Sequence, residues 1–269
     1  MKVASKVIVV TGGANGIGRE TVLALLSRGA HVVAIDLNHE GLEETKRLAK
    51  ENAEHLSIHT VNVSRVEEVE ALPEKIIKRF KHVDGIMNIA GIIQPFVRVN
   101  ALDYERIKRV MDVNFYGTLY MVKSFLPYLL KRPRAHIVNV SSMGGFLPVP
   151  GQSIYGASKA AVKLLTEGLY AELRETNVRV SVVFPGGVGT NITKNSDAES
   201  EKMKAMAKGQ KSRKVLTPQD AANQIIDGME KDKFRILVGK DAKMMDKMYR
   251  LNPRFATNLI AKKMKDLLD

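Results

Sequence analysis

The sequence predicts a doubly wound α/β fold, a seven-stranded parallel sheet with helices on both faces, in one domain. Seven apolar runs rich in Val and Ile alternate with helical patterns along 269 residues. The first four show little polar alternation, as expected of strands covered on both faces. No repeat or low-complexity linker interrupts them, and a 29.8 kDa chain can bury a substantial core without staples.

The predicted strands are 6–12, 31–36, 56–63, 83–91, 135–142, 178–186 and 234–239. Helical stretches between them carry opposite-charge neighbours, as in "EGLEETKRLAKE" at 40–51, which turns those faces to water. The polar segment 193–215 departs from the pattern and reads as a substrate lid in preference to plain disorder. Residues 240–269 form an extension split into two helices at Asn252-Pro253. Its second half repeats Phe255, Leu259, Ile260, Met264, Leu267 and Leu268 at three- and four-residue intervals, beside Lys262, Lys263 and Lys265. Such a stripe docks on its own subunit, covers a partner subunit, or lies on an anionic membrane; docking is the default.

Composition narrows the function. Without cysteine, disulfides and thiolate metal sites are excluded, and six scattered His show no metal-binding spacing. The net charge of 42 − 29 = +13 is spread along the chain with no nucleic-acid motif beside it, so solubility and attraction of anionic cofactors explain it. A β-branched run begins within six residues of Met1, leaving no room for a signal peptide, and no apolar run approaches the ~20 residues needed to span a bilayer. A cytoplasmic enzyme is expected.

"TGGANGIG" at 11–18 follows the first strand and opens a helix. In that context Gly12, Gly16 and Gly18 permit a tight turn and close approach of a pyrophosphate to a helix N-terminus. Asp36 ends the second strand, where a carboxylate accepts from both adenosine ribose hydroxyls and repels a 2′-phosphate. Neither Asn15 nor Leu37 supplies a cation for such a phosphate, so NAD is expected over NADP; Arg19 is the nearby base that weakens the argument.

Tyr155 and Lys159 stand one helical turn apart in "SIYGASKAAVKLLTEGLY". A free Tyr has a pKa near ~10, so it serves as a base near neutrality only if its phenolate is stabilised. The Lys159 charge and an oxidised nicotinamide are expected to lower it.

Together with "NIAG" at 88–91, Asn114 in "DVNFYG", Ser142 in "NVSS" and "PGGVGT" at 185–190, these residues closely resemble the short-chain dehydrogenase/reductase family, from about residue 5 to 240. The resemblance implies a Rossmann fold and a tetrad of Asn114, Ser142, Tyr155 and Lys159, the 13-residue interval to Tyr155 selecting Ser142 over Ser141. It implies that Lys159 holds the nicotinamide ribose, that Asn114 anchors a proton-relaying water, and that Ile17 joins the glycines at the cofactor. It puts Asn62 and Val63 at the adenine, Asn88, Ala90 and Gly91 behind the cofactor, and Pro185, Gly186, Val188 and Thr190 at the carboxamide. Asn62 replaces a frequent Asp, and Ile89 a second Asn.

By the same resemblance Ile92, Ile93, Met143, Phe146, Leu147 and Val149 border a substrate pocket, although core packing or a subunit contact is nearly as good a use for them. An apolar secondary alcohol or ketone suits that lining. The runner-up is a β-ketoacyl thioester reductase, because residues 201–214 carry Lys202, Lys204, Lys208, Lys211, Arg213 and Lys214 against Glu201 alone. From another class comes a non-catalytic NAD-binding module, which the complete tetrad disfavours. A homodimer or homotetramer through helices near 103–131 and 153–176 is implied as well.

Overall fold

The structure, a computed structural model, describes residues 1–190, 192–196, 198 and 215–265. Seven strands, β1 (Val7–Thr11), β2 (His31–Asp36), β3 (Leu56–Thr60), β4 (Gly85–Asn88), β5 (Ala135–Val140), β6 (Val178–Pro185) and β7 (Arg235–Val238), form one sheet in the order β3-β2-β1-β4-β5-β6-β7. All six pairings are parallel.

Each face of the sheet has its own core. Ile8 and Val10 point to one side, beneath α1 (Gly16–Ser27), α2 (His39–Leu48) and α9 (Pro218–Glu230). Val7 and Val9 point to the other, beneath α3 (Val66–Glu70), α4 (Leu72–Phe80), α6 (Gly117–Leu129) and α7 (Ser153–Glu172). Every residue of β1 is buried, which is why its sequence does not alternate. Phe125 of α6 is fully buried in the second core, and truncating such a side chain to Ala costs about 3–5 kcal/mol.

The connections α5 (Tyr104–Met111) and α8 (Ile192–Asn195) lie at the carboxy-terminal ends of the strands, and a π-helical turn at Asp112–Tyr116 joins α5 to α6. The extension is two helices, α10 (Lys240–Leu251) and α11 (Pro253–Lys263), parted where the Asn252-Pro253 step predicts. Met245, Ala256 and Ile260 dock them on Leu147 and Phe146 of their own chain. Phe255, predicted in the apolar stripe, is instead 57% exposed. Leu267, Leu268 and most of the predicted lid, 199–214 with its basic residues, lie outside the described residues. No described helix is long and apolar enough to cross a membrane.

Three strands end two or three residues earlier than their apolar runs. Residues 61–63, 89–91 and 141–142 leave the sheet and line a cavity at its carboxy-terminal edge. Here β3 crosses to β4 on the far side of β1, the reversal of strand order at which such sheets open a crevice.

Candidate active site

A cavity of about 670 Å³ runs along this edge, from Asp36 to Tyr155 and Lys159. Its floor begins at the turn after β1. Gly12 holds φ +77°, and a Cβ there would lie 3.0 Å from the Ala90 nitrogen. A Cβ on Gly18 would overlap the Gly12 carbonyl, so α1 approaches the turn as only glycine allows. Asn15 makes no side-chain cap on α1, leaving its first turn open where Gly16, Ile17 and Gly18 line the cavity.

At one end the Asp36 carboxylate accepts from Ala14 N at 3.1 Å and Asn38 N at 3.0 Å. It caps the loop and still offers lone pairs to the cavity, so the capping and binding readings coexist. Arg19 turns away: Nε donates to Thr45 Oγ1 at 3.1 Å, and Nη2 to the carbonyls of Ala14 and Gly41. No described cation lines this end, which Leu37, Asn62 and Val63 complete. The Asn62 Oδ1 accepts from Ser64 N and Oγ at 3.0 and 2.7 Å, fixing the turn after β3.

At the other end α7 presents Tyr155 and Lys159. Ser142 follows β5, and its Oγ accepts from Gly144 N at 3.0 Å. A Cβ on Gly144 would lie 3.4 Å from the Tyr155 ring and 3.5 Å from Ser142 Oγ, so the three converge. Lys159 Nζ donates to the Val140 carbonyl at 3.0 Å. Asn114, fully buried in the π-helical turn, holds Ile92 by both N–H and C=O, at 2.8 and 2.9 Å, and donates to Ser158 Oγ at 2.9 Å. Ser158 in turn donates to the Tyr155 carbonyl at 2.7 Å. Gly91 leaves room between two of these groups, since a Cβ would lie 3.0 Å from Lys159 Nζ and 3.1 Å from Asn114 Oδ1.

Electrostatics depart from the expectation at Tyr155. Burial pushes its phenol above the ordinary value, and the Ser142 hydrogen bond only partly offsets this. Burial also lowers Lys159 to about 8. In the chain alone desolvation dominates, and Tyr155 keeps its proton at neutral pH.

Most predicted cofactor residues line the cavity, including Ala90, Gly91, Pro185, Gly186, Val188 and Thr190. Asn88 does not. It is buried in the sheet and donates to Asn139 Oδ1 at 2.8 Å, because it is the last residue of β4 and points sideways into the neighbouring strand. Of the predicted substrate lining, Ile92 and Ile93 are present. Met143, Phe146 and Leu147 instead pack against α10 and α11, and Val149 also lies off the cavity, so core packing wins for this group. Arg109, Val113 and Ile192 line that end and were not foreseen.

The supports of α7 also escaped sequence reading. Gln94, fully buried, accepts from Ile154 N and Tyr155 N at 2.8 and 3.0 Å, and Gln152 donates to the Gln94 carbonyl at 2.7 Å. Ser141 donates to the Lys159 carbonyl at 2.7 Å, which separates its task from that of Ser142. The only signal was a glutamine set between "II" and a proline. Among the described residues no group of three acidic or His side chains could hold a metal.

Residues 6–201 match the short chain dehydrogenase family. SadH of Mycobacterium tuberculosis, named as an oxidoreductase, is 34% identical over 95% of this chain and 94% of its own. The 3-oxoacyl-[acyl-carrier-protein] reductase FabG of Thermotoga maritima is 33% identical over 72% of this chain and 78% of its own. Among solved structures, a short chain dehydrogenase/reductase from Burkholderia phymatum in complex with NAD superposes with a TM-score of 0.84 at 26% identity, covering 95% of this chain and 96% of that one. One from Burkholderia cenocepacia J2315 in complex with NADP gives 0.78 at 26% identity, covering 97% and 99%. A seven-stranded sheet in this order, a cavity at its carboxy-terminal edge and a match over most of the length agree: the chain belongs to the short-chain dehydrogenase/reductase family of oxidoreductases.

Proposed function

We propose that the protein transfers a hydride between NAD and an apolar secondary alcohol or its ketone, with Tyr155 as general acid and base. The carrying observation is that Ser142, Tyr155 and Lys159 share one cavity with Asp36, at opposite ends. The glycine cradle and the open first turn of α1 fit a pyrophosphate between those ends.

A bound nicotinamide supplies the hydride donor or acceptor. Tyr155, protonated at rest, is ready to give its proton to a developing alkoxide in ketone reduction; for alcohol oxidation it must first release that proton. Ser142 Oγ, beside the Tyr155 ring, hydrogen-bonds the substrate oxygen and orients it. Lys159, at about 8, is still mostly charged at pH 7 and favours the phenolate. Asn114 joins the Ile92 loop to the turn of α7 that carries Tyr155, so it holds geometry as well as any water it anchors.

The NAD preference is supported by Asp36 and by the commitment of Arg19 to carbonyls away from the cavity. Ile92, Ile93, Val113 and Ile192 support an apolar substrate. A 3-oxoacyl thioester is the second reading, favoured by the FabG relative and by Arg109 in the same lining. We also propose a homodimer or homotetramer through α5, the π-helical turn, α6 and α7, where Tyr104, Tyr116 and Leu164 are exposed at 88, 41 and 68%.

Initial rates of NAD and NADP reduction with a panel of secondary alcohols, and of the reverse reaction with ketones and 3-oxoacyl thioesters, test these readings. NAD-dependent turnover of simple alcohols, lost in Tyr155→Phe, is expected. Preference for NADP with 3-oxoacyl thioesters would install the second reading instead.

A further inference from the structure

We infer that Asp241, in the C-terminal extension, is a positioning residue for the nicotinamide end of the cavity; this rests on the nucleotide reading above. Pro185, Gly186, Val188 and Thr190 form one wall of that end. Among the described residues, three bonds tie the wall to segments behind it. Gly186 N donates to the Val238 carbonyl and Gly189 N to the Leu216 carbonyl, both at 3.0 Å. Gly187 N donates to Asp241 Oδ2 at 2.7 Å, the shortest of the three and the only one made by a side chain. A charged acceptor makes the strongest bond of its kind.

The surroundings are shaped to this carboxylate. A Cβ on Gly186 would overlap both Asp241 oxygens, and one on Gly239 would lie 2.5 Å from Oδ1. Gly239, at φ +96°, turns the chain from β7 into α10 and so delivers Asp241 to the loop. An acid in the first turn of a helix has a blander use, receiving the N–H of its own cap. That use is not made here: Gly239 N donates to Gln224 Oε1 at 3.2 Å, and the Asp241 carboxylate reaches out to the loop.

The same helix braces a second wall. Met245, Met248 and Tyr249 pack with Met143, Phe146 and Leu147, which follow Ser142. The extension thus ties the loop after β6 to the loop after β5. Glycine occupies 186, 187 and 189, so a wall without its anchor regains much conformational freedom.

Calorimetric titration of wild type, Asp241→Ala and Asp241→Asn with NAD and with ADP-ribose, which lacks the nicotinamide, tests the assignment. Asp241→Ala is expected to weaken NAD about tenfold while changing ADP-ribose by less than about twofold, one hydrogen bond's worth at one end only. Asp241→Asn keeps an oxygen acceptor and is expected to restore most of the NAD affinity; if the alanine variant folds poorly, Asp241→Leu, which keeps the volume and removes the acceptor, takes its place. Equal weakening of both ligands overturns the inference, because the damage is then general, and so does no weakening of either. Wild type that binds neither ligand brings down the nucleotide reading, and the inference with it.

Discussion

The two edges of the parallel sheet treat buried polar groups in opposite ways. At the amino-terminal edge, fully buried Asp84 accepts from Val7 N at 3.0 Å and Arg132 Nε at 2.9 Å, with His82 at 3.2 Å. Asp232 takes the Met1 ammonium at 2.9 Å and pairs with Arg134. At the carboxy-terminal edge Lys159, 4% exposed, has no carboxylate partner among the described residues and bonds a carbonyl. Charges closed on each other hold the scaffold; a charge left open is available to a ligand and its chemistry.

The largest expected effects separate the edges. Tyr155→Phe keeps the ring and removes the proposed proton carrier, so turnover is expected to fall by about 10²–10⁴ with the thermal midpoint unchanged. Asp84→Ala should do the reverse. It strands Arg132 and the Val7 N–H, costing about 3 kcal/mol or more in urea unfolding, while kcat per folded molecule holds. A stable Asp84→Ala protein with reduced kcat would break the comparison.

Lys159→Met tests whether an open charge is held against stability. Loss of about 10² in turnover is expected. Since burial lowers Lys159 to about 8, the folded chain binds fewer protons than the unfolded one between pH 8 and the ordinary 10.5, and stability rises with pH across that window. The variant should lose this rise and melt no lower than wild type at pH 7, as scanning calorimetry at pH 7 and within the window from 8 to 10.5 would read.

What the sequence made legible follows the same division. Strands covered on both faces announce themselves, as do Gly12, Asp36, Ser142, Tyr155 and Lys159, whose meaning lies in order and helical spacing. Strand ends do not: Val61, Val63 and Ile89 are as apolar as the residues before them, yet they leave the sheet for the cavity wall. Met143, Phe146 and Leu147 misled because an apolar side chain does not state its partner, which here is the extension. Gln94 and Asp241 were silent because the backbone groups they hold lie 61 and 54 residues away. Tyr155 was legible as a general acid and base but not in its resting protonation, since its titration depends on burial that spacing does not express.

The smallest effect concerns His136 at the closed edge. It is fully buried, with Nε2 2.8 Å from Ser181 Oγ and Nδ1 3.7 Å from Asp232. Burial, then the Met1 ammonium, lower it to about 3; Arg134 and Arg179 act in the same direction and Asp232 opposes them. The folded chain therefore binds fewer protons than the unfolded one between about 3 and the ordinary 6.5, and the stability present above 6.5 is lost as pH falls. One pH unit below 6.5, at 5.5, that loss is about 1 kcal/mol. Urea unfolding of wild type and His136→Gln at pH 7.5 and 5.5 would read it, with the wild type losing about 1 kcal/mol more than the variant. Equal losses would mean that His136 titrates alike in both states and that the closed edge is softer to protons than its geometry implies. An acid-sensitive scaffold edge opposite an alkali-stabilised site edge is the signature expected if both assignments hold.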